Sequence, residues 1–307
     1  MAFTAILTSA FFLFGKEESS PPGTKVQEEI QSAEPLVLKD EAPTLMLSQE
    51  SVEQSGVVIA RAAGLPEDTV PRGMFLSKQV SFFPVGDFWL AIVGIDAKRD
   101  PGTYSFTAEF GEAGSETREI RVIKRDFPVT KLAVTPELEE QGYTPSTIAE
   151  NIATVENKAL QDVLKGYTPT FYANKEFTYP LDVIEDVGAY GNIRQSGDIS
   201  LQHLGVDLDA GVGTRVYSIN DGKVALSRDF VNYGKTLVID HGYGIYSLYL
   251  HLKGATLFVG DSVLRGQQIG YSGNTGYSIA PHLHFSIKAA GESVDPLRFI
   301  ETVNKEF

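Results

Sequence analysis

Apolar positions in this chain fall into short runs and strict alternations, the signature of strands rather than helices. Tyr104, Phe106, Ala108 and Phe110 alternate with polar neighbours, as on a half-buried strand. Phe88–Ile95 (FWLAIVGI) is a continuous apolar run, and Asp96–Gly102 between the two carries Asp-Pro-Gly. Proline fixes one φ there and glycine permits another, as a turn needs. Gly111–Ser115 reads as a second turn before a strand at Thr117–Ile123. Strands of this length and spacing across residues 43–129 predict a small Ig-like β-sandwich.

The period changes after Thr144. Ile148, Ile152, Val155, Ala159 and Val163 recur at helical spacing and form one apolar stripe. Thr144 suits an N-cap, Pro145 the first helical position and Gly166 the stop. These features predict a single amphipathic helix over 145–165, packed on a neighbour, within a linker spanning 130–166. Strands return from Tyr167. Val206, Val216, Val224, Val238 and Ile239 sit in short apolar runs, broken by turns at Asp221-Gly222, His241-Gly242, Val259-Gly260-Asp261 and Gly273-Asn274. Residues 167–307 therefore predict an antiparallel all-β domain, closed by a short helix after Pro296. The fold class is mainly β: sandwich, helical linker, second β-domain.

Two segments precede the strands. Residues 2–15 (AFTAILTSAFFLFG) are apolar and uncharged, a length that suits an export signal and is short for a bilayer span. A membrane anchor and a buried apolar segment are the competing readings of 1–15, and the expected basic start is missing; export is the expectation. Residues 16–42 are acidic with paired prolines and read as a tether.

Composition narrows the chemistry. With 42% hydrophobic and 21% charged residues the chain is globular, and its 307 residues allow about two domains. A formal charge of -14 excludes nucleic acid as the expected partner, because phosphate contacts need Lys and Arg. It also argues against a polybasic membrane surface. The absence of cysteine removes disulfides, thiolate nucleophiles and Cys-based metal sites, leaving His, Asp and Glu as donors. The five histidines, 203, 241, 251, 282 and 284, all lie in the last third.

Three segments carry them. If His203-Leu204-Gly205-Val206-Asp207 is a strand, His203, Gly205 and Asp207 share one face, with Gly205 leaving room for a metal. In His282-Leu283-His284 both imidazoles point to one face and Leu283 to the core. In Tyr249-Leu250-His251-Leu252 the alternation sets His251 opposite its leucines. Two His and one carboxylate form a common catalytic zinc set with a position left for water. Calcium or magnesium would want more carboxylates, whereas iron takes the same donors. A buried histidine network without metal is the bland alternative, and a structural zinc site would want a fourth protein ligand.

In this order, HxxxD, a tyrosine-rich segment ending in His-Leu, and HxH, the chain resembles the lysostaphin/LytM-type zinc metallopeptidases. HLGVDLDAGVGTRVYSINDGKV (203–224), GKTLVIDHGYGIYSLYLHL (234–252) and VGDSVLRGQQIGYSGNTGYSIAPHLHF (259–285) carry the likeness, which covers about 167–298. The first domain resembles the Ig-like modules found ahead of such peptidases. The resemblance implies a zinc endopeptidase that hydrolyses peptide bonds in peptidoglycan stems or cross-links, acting in the periplasm or cell envelope, with residues 1–15 as signal or inner-membrane anchor. It implies zinc ligands at His203, Asp207 and His284 and catalytic histidines at His251 and His282. A catalytically silent binding or regulatory relative is the alternative, and whether a protein activator is needed stays open. D,D-cross-links are expected over glycine bridges, since no basic wall-targeting domain follows. His241 matches a family position outside the ligand set and is expected to be structural. Asp209 reads equally as an outer hydrogen-bond acceptor or a solvated turn residue, and Arg194 as a surface arginine rather than a substrate contact. Ser278-Ile279-Ala280-Pro281 departs from the more usual Gly-Pro before the HxH and bears on substrate fit.

Overall fold

Strands with apolar side chains on both faces must be covered on both faces, and this explains the middle of the first sheet. A computed structural model describes residues 42–173 and 175–307; the segment 1–15 and all but the last residue of the 16–42 tether lie outside the described residues. Eight strands follow one another: β1 (Thr44–Leu47), β2 (Ser51–Glu53), β3 (Val57–Ala63), β4 (Arg72–Phe75), β5 (Lys78–Val85), β6 (Phe88–Gly94), β7 (Gly102–Glu109) and β8 (Ser115–Ile123). They join in the order β1-β3-β6-β5-β4-β7-β8-β2. All pairs are antiparallel except β2 with β8. The 95–101 connection is not a hairpin, because β6 pairs with β3 and β5 while β7 pairs with β4 and β8.

One face, with Val58, Ala60, Phe82, Val93, Phe106 and Ile120, closes on its own interior. The alternate residues Val57, Ile59, Phe83, Leu90 and Ile92 join the interior of the second β-region instead. That is why β3 and β6 read as continuous apolar runs while β7 alternates. Full burial of each large side chain contributes about 1.5–3 kcal/mol. Arg125 and Asp295 form a half-buried ion pair of 2.9 Å between the regions.

The segment between the sheets is more broken than its periodicity predicts. It contains β9 (Val129–Lys131), α1 (Pro136–Glu140), α2 (Pro145–Asn151), a π-helical turn (Ile152–Glu156) and α3 (Asn157–Leu164). The cap at Thr144 forms, and its side chain accepts from the Thr147 N–H. The single stripe does not. The π turn inserts a residue and rotates the following face, so Val155 is exposed at 51% and Glu156 is buried at 1%, with Leu160 packed inward.

The remaining strands are β10 (Asp186–Gly188), β11 (Ile193–Ser196), β12 (Ile199–Gln202), β13 (Val206–Asp209), β14 (Arg215–Tyr217), β15 (Gly222–Phe230), β16 (Gly234–Gly242), β17 (Ile245–Leu252), β18 (Gly254–Ala255), β19 (Ser262–Val263), β20 (Gln268–Tyr271), β21 (His282–Ala289) and β22 (Glu292–Val294), followed by α4 (Pro296–Val303). The larger sheet runs β10-β13-β21-β17-β16-β15-β19, with β22 on β21, and two three-stranded sheets flank it, β12-β11-β9 and β14-β20-β18. β13, β21 and β17 are adjacent central strands. Histidines at their ends therefore meet.

Candidate metal centre

Antiparallel register sets Asp207 of β13 directly opposite His284 of β21, and Asp209 opposite His282. Leu283 between the two histidines is fully buried, so His282 and His284 share the other face. His203 arrives differently from the sequence reading. It lies before β13, in the connection from β12, and is not on a strand shared with Asp207. Gly205 makes the bend possible: a Cβ there would sit 2.4 Å from both His284 Nε2 and Ser286 Oγ. The glycine thus leaves room for a histidine ring and a hydroxyl rather than for the metal itself.

The three side chains converge tightly. His203 Nε2 lies 2.9 Å from Asp207 Oδ1 and 2.9 Å from His284 Nδ1, and His284 Nδ1 lies 2.9 Å from the same Asp207 oxygen. The far side of each ring fixes its tautomer. His203 Nδ1 donates to the Ala189 carbonyl at 3.1 Å, and His284 Nε2 donates to Ser286 Oγ at 2.9 Å, while that hydroxyl donates onward to the Leu204 carbonyl. Both neutral imidazoles are left with bare nitrogens aimed at one another and at a carboxylate. Three lone pairs with no proton between them repel, and a cation resolves the repulsion. By this donor chemistry, one ligand atom each from His203, Asp207 and His284 suits a metal ion. Burial alone would lift the Asp207 carboxyl, but the surrounding imidazoles of His203, His282 and His284 outweigh burial and hold the group well below the ordinary carboxylate range. Burial pushes His284 down to about 4.

Two more imidazoles stand beside the cluster. The His282 ring centre is 4.8 Å from that of His251, and His282 Nε2 is 3.4 Å from Asp207 Oδ1. His282 Nδ1 faces the Ala280 carbonyl at 2.8 Å. His251 departs from the simple alternation expected of it. Lys235 pairs with Leu252 but Leu237 with Tyr249, so β17 carries an extra residue here, and His251 adopts φ 59°. This bulge turns His251 toward the cluster although Leu250 and Leu252 on either side are also buried. Its Nδ1 donates to the Thr275 carbonyl at 2.8 Å, which leaves Nε2 free for the site.

Arg194 stays partly exposed, but it does more than the surface arginine expected from sequence. Its side chain is half-buried, and its guanidinium bonds the second oxygen of Asp207 at 2.9 Å. Asp209 is exposed at the end of β13, in keeping with the solvated alternative. His241 stands apart, fully buried, between the Asp221 carbonyl and Ser247 Oγ, both at 2.8 Å, and burial pushes it down to about 4. Sequence reasoning missed Ser286 and the Ala189 and Thr275 carbonyls. Ser286 was within reach, because it lies two residues beyond His284 on the same strand face; the carbonyls leave no mark in residue identity.

Residues 201–296, which contain the whole cluster, match the profile of Peptidase family M23. The chain carries a peptidase M23 domain. Peptidoglycan DD-endopeptidase ShyA of Vibrio cholerae is 40% identical to it over 96 residues, 31% of this chain and 22% of ShyA. Murein hydrolase activator EnvC of Escherichia coli is 38% identical over 96 residues, 31% of this chain and 23% of EnvC. The likeness to these curated relatives is thus confined to the M23 domain, and the chain spans under a quarter of their length. A crystal structure of a Pseudomonas aeruginosa protein assigned to peptidase M23 shares 25% identity and a TM-score of 0.58, covering 80% of this chain and 93% of that one. Coverage that wide takes in the first sheet as well as the M23 domain. Among the described residues no helix is long and apolar enough to cross a membrane.

Proposed function

We propose that the chain is a zinc endopeptidase that hydrolyses peptide bonds in peptidoglycan stems or cross-links. The observation that carries this reading is the meeting of three bare donor atoms, from His203, Asp207 and His284, beside two further imidazoles. Zinc held there would act as a Lewis acid and lower the pKa of its water to about 7. The chain's own residues supply the proton traffic. Hydrolysis adds hydroxyl to the carbonyl carbon and delivers a proton to the leaving nitrogen. A neutral imidazole takes the proton from water, and an imidazolium stabilises the oxyanion and returns the proton. His251 and His282 fill these two roles. His251 Nε2 is the better-defined acceptor, because its other nitrogen is committed to Thr275. Arg194 holds the outer oxygen of Asp207.

The domain division proposed with it is an Ig-like spacer over 43–129, a linker over 130–166 and the catalytic domain over 167–307. Action on the cell wall places the protein in the periplasm or cell envelope, with residues 1–15 as export signal or anchor. The likeness to ShyA supports D,D-cross-links as the bond cut. The likeness to EnvC supports a second reading, a silent regulatory protein on the same fold. The complete donor set favours the enzyme, since a regulator needs none.

Purified sacculi and defined muropeptides, with products read by mass and zinc measured alongside, test the assignment. His203→Ala is expected to lose both zinc and peptide release. His282→Ala keeps zinc and loses about 10²–10⁴ in rate. Normal cutting by both variants overturns the reading, and a zinc-loaded wild type that releases no peptide favours the regulatory one.

A further inference from the structure

The linker carries a carboxylate that the reading above does not use. Glu156 closes the π turn and is 1% exposed. A buried carboxylate is expensive unless it is hydrogen-bonded. Glu156 accepts from the backbone N–H groups of Asn232 at 2.6 Å and Tyr233 at 3.3 Å, across 76 and 77 residues of chain. Burial raises its pKa and these N–H bonds oppose the rise.

Both residues it holds are tied to the site. The Tyr233 carbonyl accepts the backbone N–H of His251 at 3.0 Å, and the Asn232 carbonyl accepts that of Tyr277 at 2.8 Å. Between Tyr277 and the His251 ring stands Thr275, whose carbonyl holds His251 Nδ1. The 231–233 turn and the 275–277 loop touch without slack, because a Cβ at Gly276 would lie 2.4 Å from the Asn232 carbonyl oxygen. His251 meanwhile adopts φ 59°, a backbone that a non-glycine residue keeps only when its surroundings enforce it. π turns are often found where a helix serves a function rather than only packing.

We propose that Glu156 is a positioning residue for His251. From the linker it fixes the 231–233 turn, and through that turn both the strained backbone and the ring orientation of His251. The working unit therefore includes the linker helix along with the M23 domain. The inference rests on the reading of His251 as catalytic, but it predicts a local geometry that can be measured without turnover.

The test uses the full chain loaded with zinc, in wild type and the Glu156→Gln, Glu156→Asp and Lys158→Ala variants. Glutamine is isosteric but turns one acceptor oxygen into a donor facing an N–H. Lys158 is exposed on α3 and serves as the helix control. Glu156→Gln is expected to keep its zinc and KM, to lose about 10–100-fold in kcat, and to broaden the His251 Nδ1–H signal in imidazole ¹⁵N NMR. Glu156→Asp, which keeps both acceptors on a shorter arm, falls between wild type and Glu156→Gln in both readouts. Lys158→Ala matches wild type. An unchanged His251 signal in Glu156→Gln overturns the proposal, as does a kcat loss matched by equal loss of zinc. A wild type that cuts no muropeptide would refute the endopeptidase reading, while the His251 signal would still decide whether the clamp exists.

Discussion

In the first sheet the interior around Phe82, Phe106 and Ile120 is apolar throughout, and Gln54 and Ser55 are the buried polar side chains near it. The second β-region buries His203, Asp207, Asp240, His241, Ser247 and His251 among its central strands. A buried polar group left unpaired costs about 1–3 kcal/mol. Most of these groups are paired: Asp240 accepts from Thr168 and the Gly242 N–H, and His241 and Ser247 bond each other. The exception is the triad of bare donors at His203, Asp207 and His284. Two sheets of the same size thus divide their tasks. The first is stabilised by filling space, whereas the second accepts polar burial and sets three bare donor atoms face to face at one point.

Phe106→Ala carries the largest expected effect. Phe106 is fully buried in the first interior and touches no residue of the site. Truncation should lower unfolding stability by about 3–5 kcal/mol, read by urea titration. Zinc content and kcat of the protein that stays folded should not change. A parallel fall in kcat would mean that the first sheet shapes the site, and the division would fail.

How much of this the sequence discloses depends on how far each cause reaches along the chain. The alternation of Phe106, Ala108 and Phe110, the Thr144 cap and the shared face of His282 and His284 depend on residues a few positions apart, and periodicity reads them. The meeting of HxxxD with HxH was legible only through the family resemblance. The bulge at His251, the π turn at Ile152–Glu156 and the bend at Gly205 are set by partners outside any local window, such as Tyr233, Asn232 and His284. No local pattern encodes them. Each is a place where regular structure gives way to aim one side chain.

Polar burial in the second region makes stability depend on pH through His241. This histidine is buried and neutral, with its folded pKa pushed to about 4 against an ordinary 6.5. The unfolded chain therefore binds a proton that the folded chain refuses between those two values. Stability from this group is present above pH 6.5 and is lost as pH falls toward 4, by on the order of 3 kcal/mol. Urea titrations of wild type and His241→Gln across that window should show a shallower decline in the variant. Equal slopes would mean that His241 takes up its proton in the folded state, and that burial in the second region is less strict than the comparison holds.

The smallest expected effect belongs to Arg194, and two influences compete there. Its charge repels an incoming cation, but the side chain is 34% exposed, so screening limits the repulsion to about 1 kcal/mol or less. By bonding the outer oxygen of Asp207 it also holds the inner one toward His203 and His284, and such outer contacts are worth about 10–100-fold in metal affinity. Orientation should win. Arg194→Ala is expected to weaken zinc binding by about tenfold with an unchanged circular dichroism spectrum, while Arg121→Ala, an exposed arginine on β8 of the first sheet, leaves affinity where it was. Competition with a chelator of known affinity reads both. Tighter zinc binding in Arg194→Ala would show that repulsion dominates, and that the second region keeps this arginine at the cost of its own metal affinity.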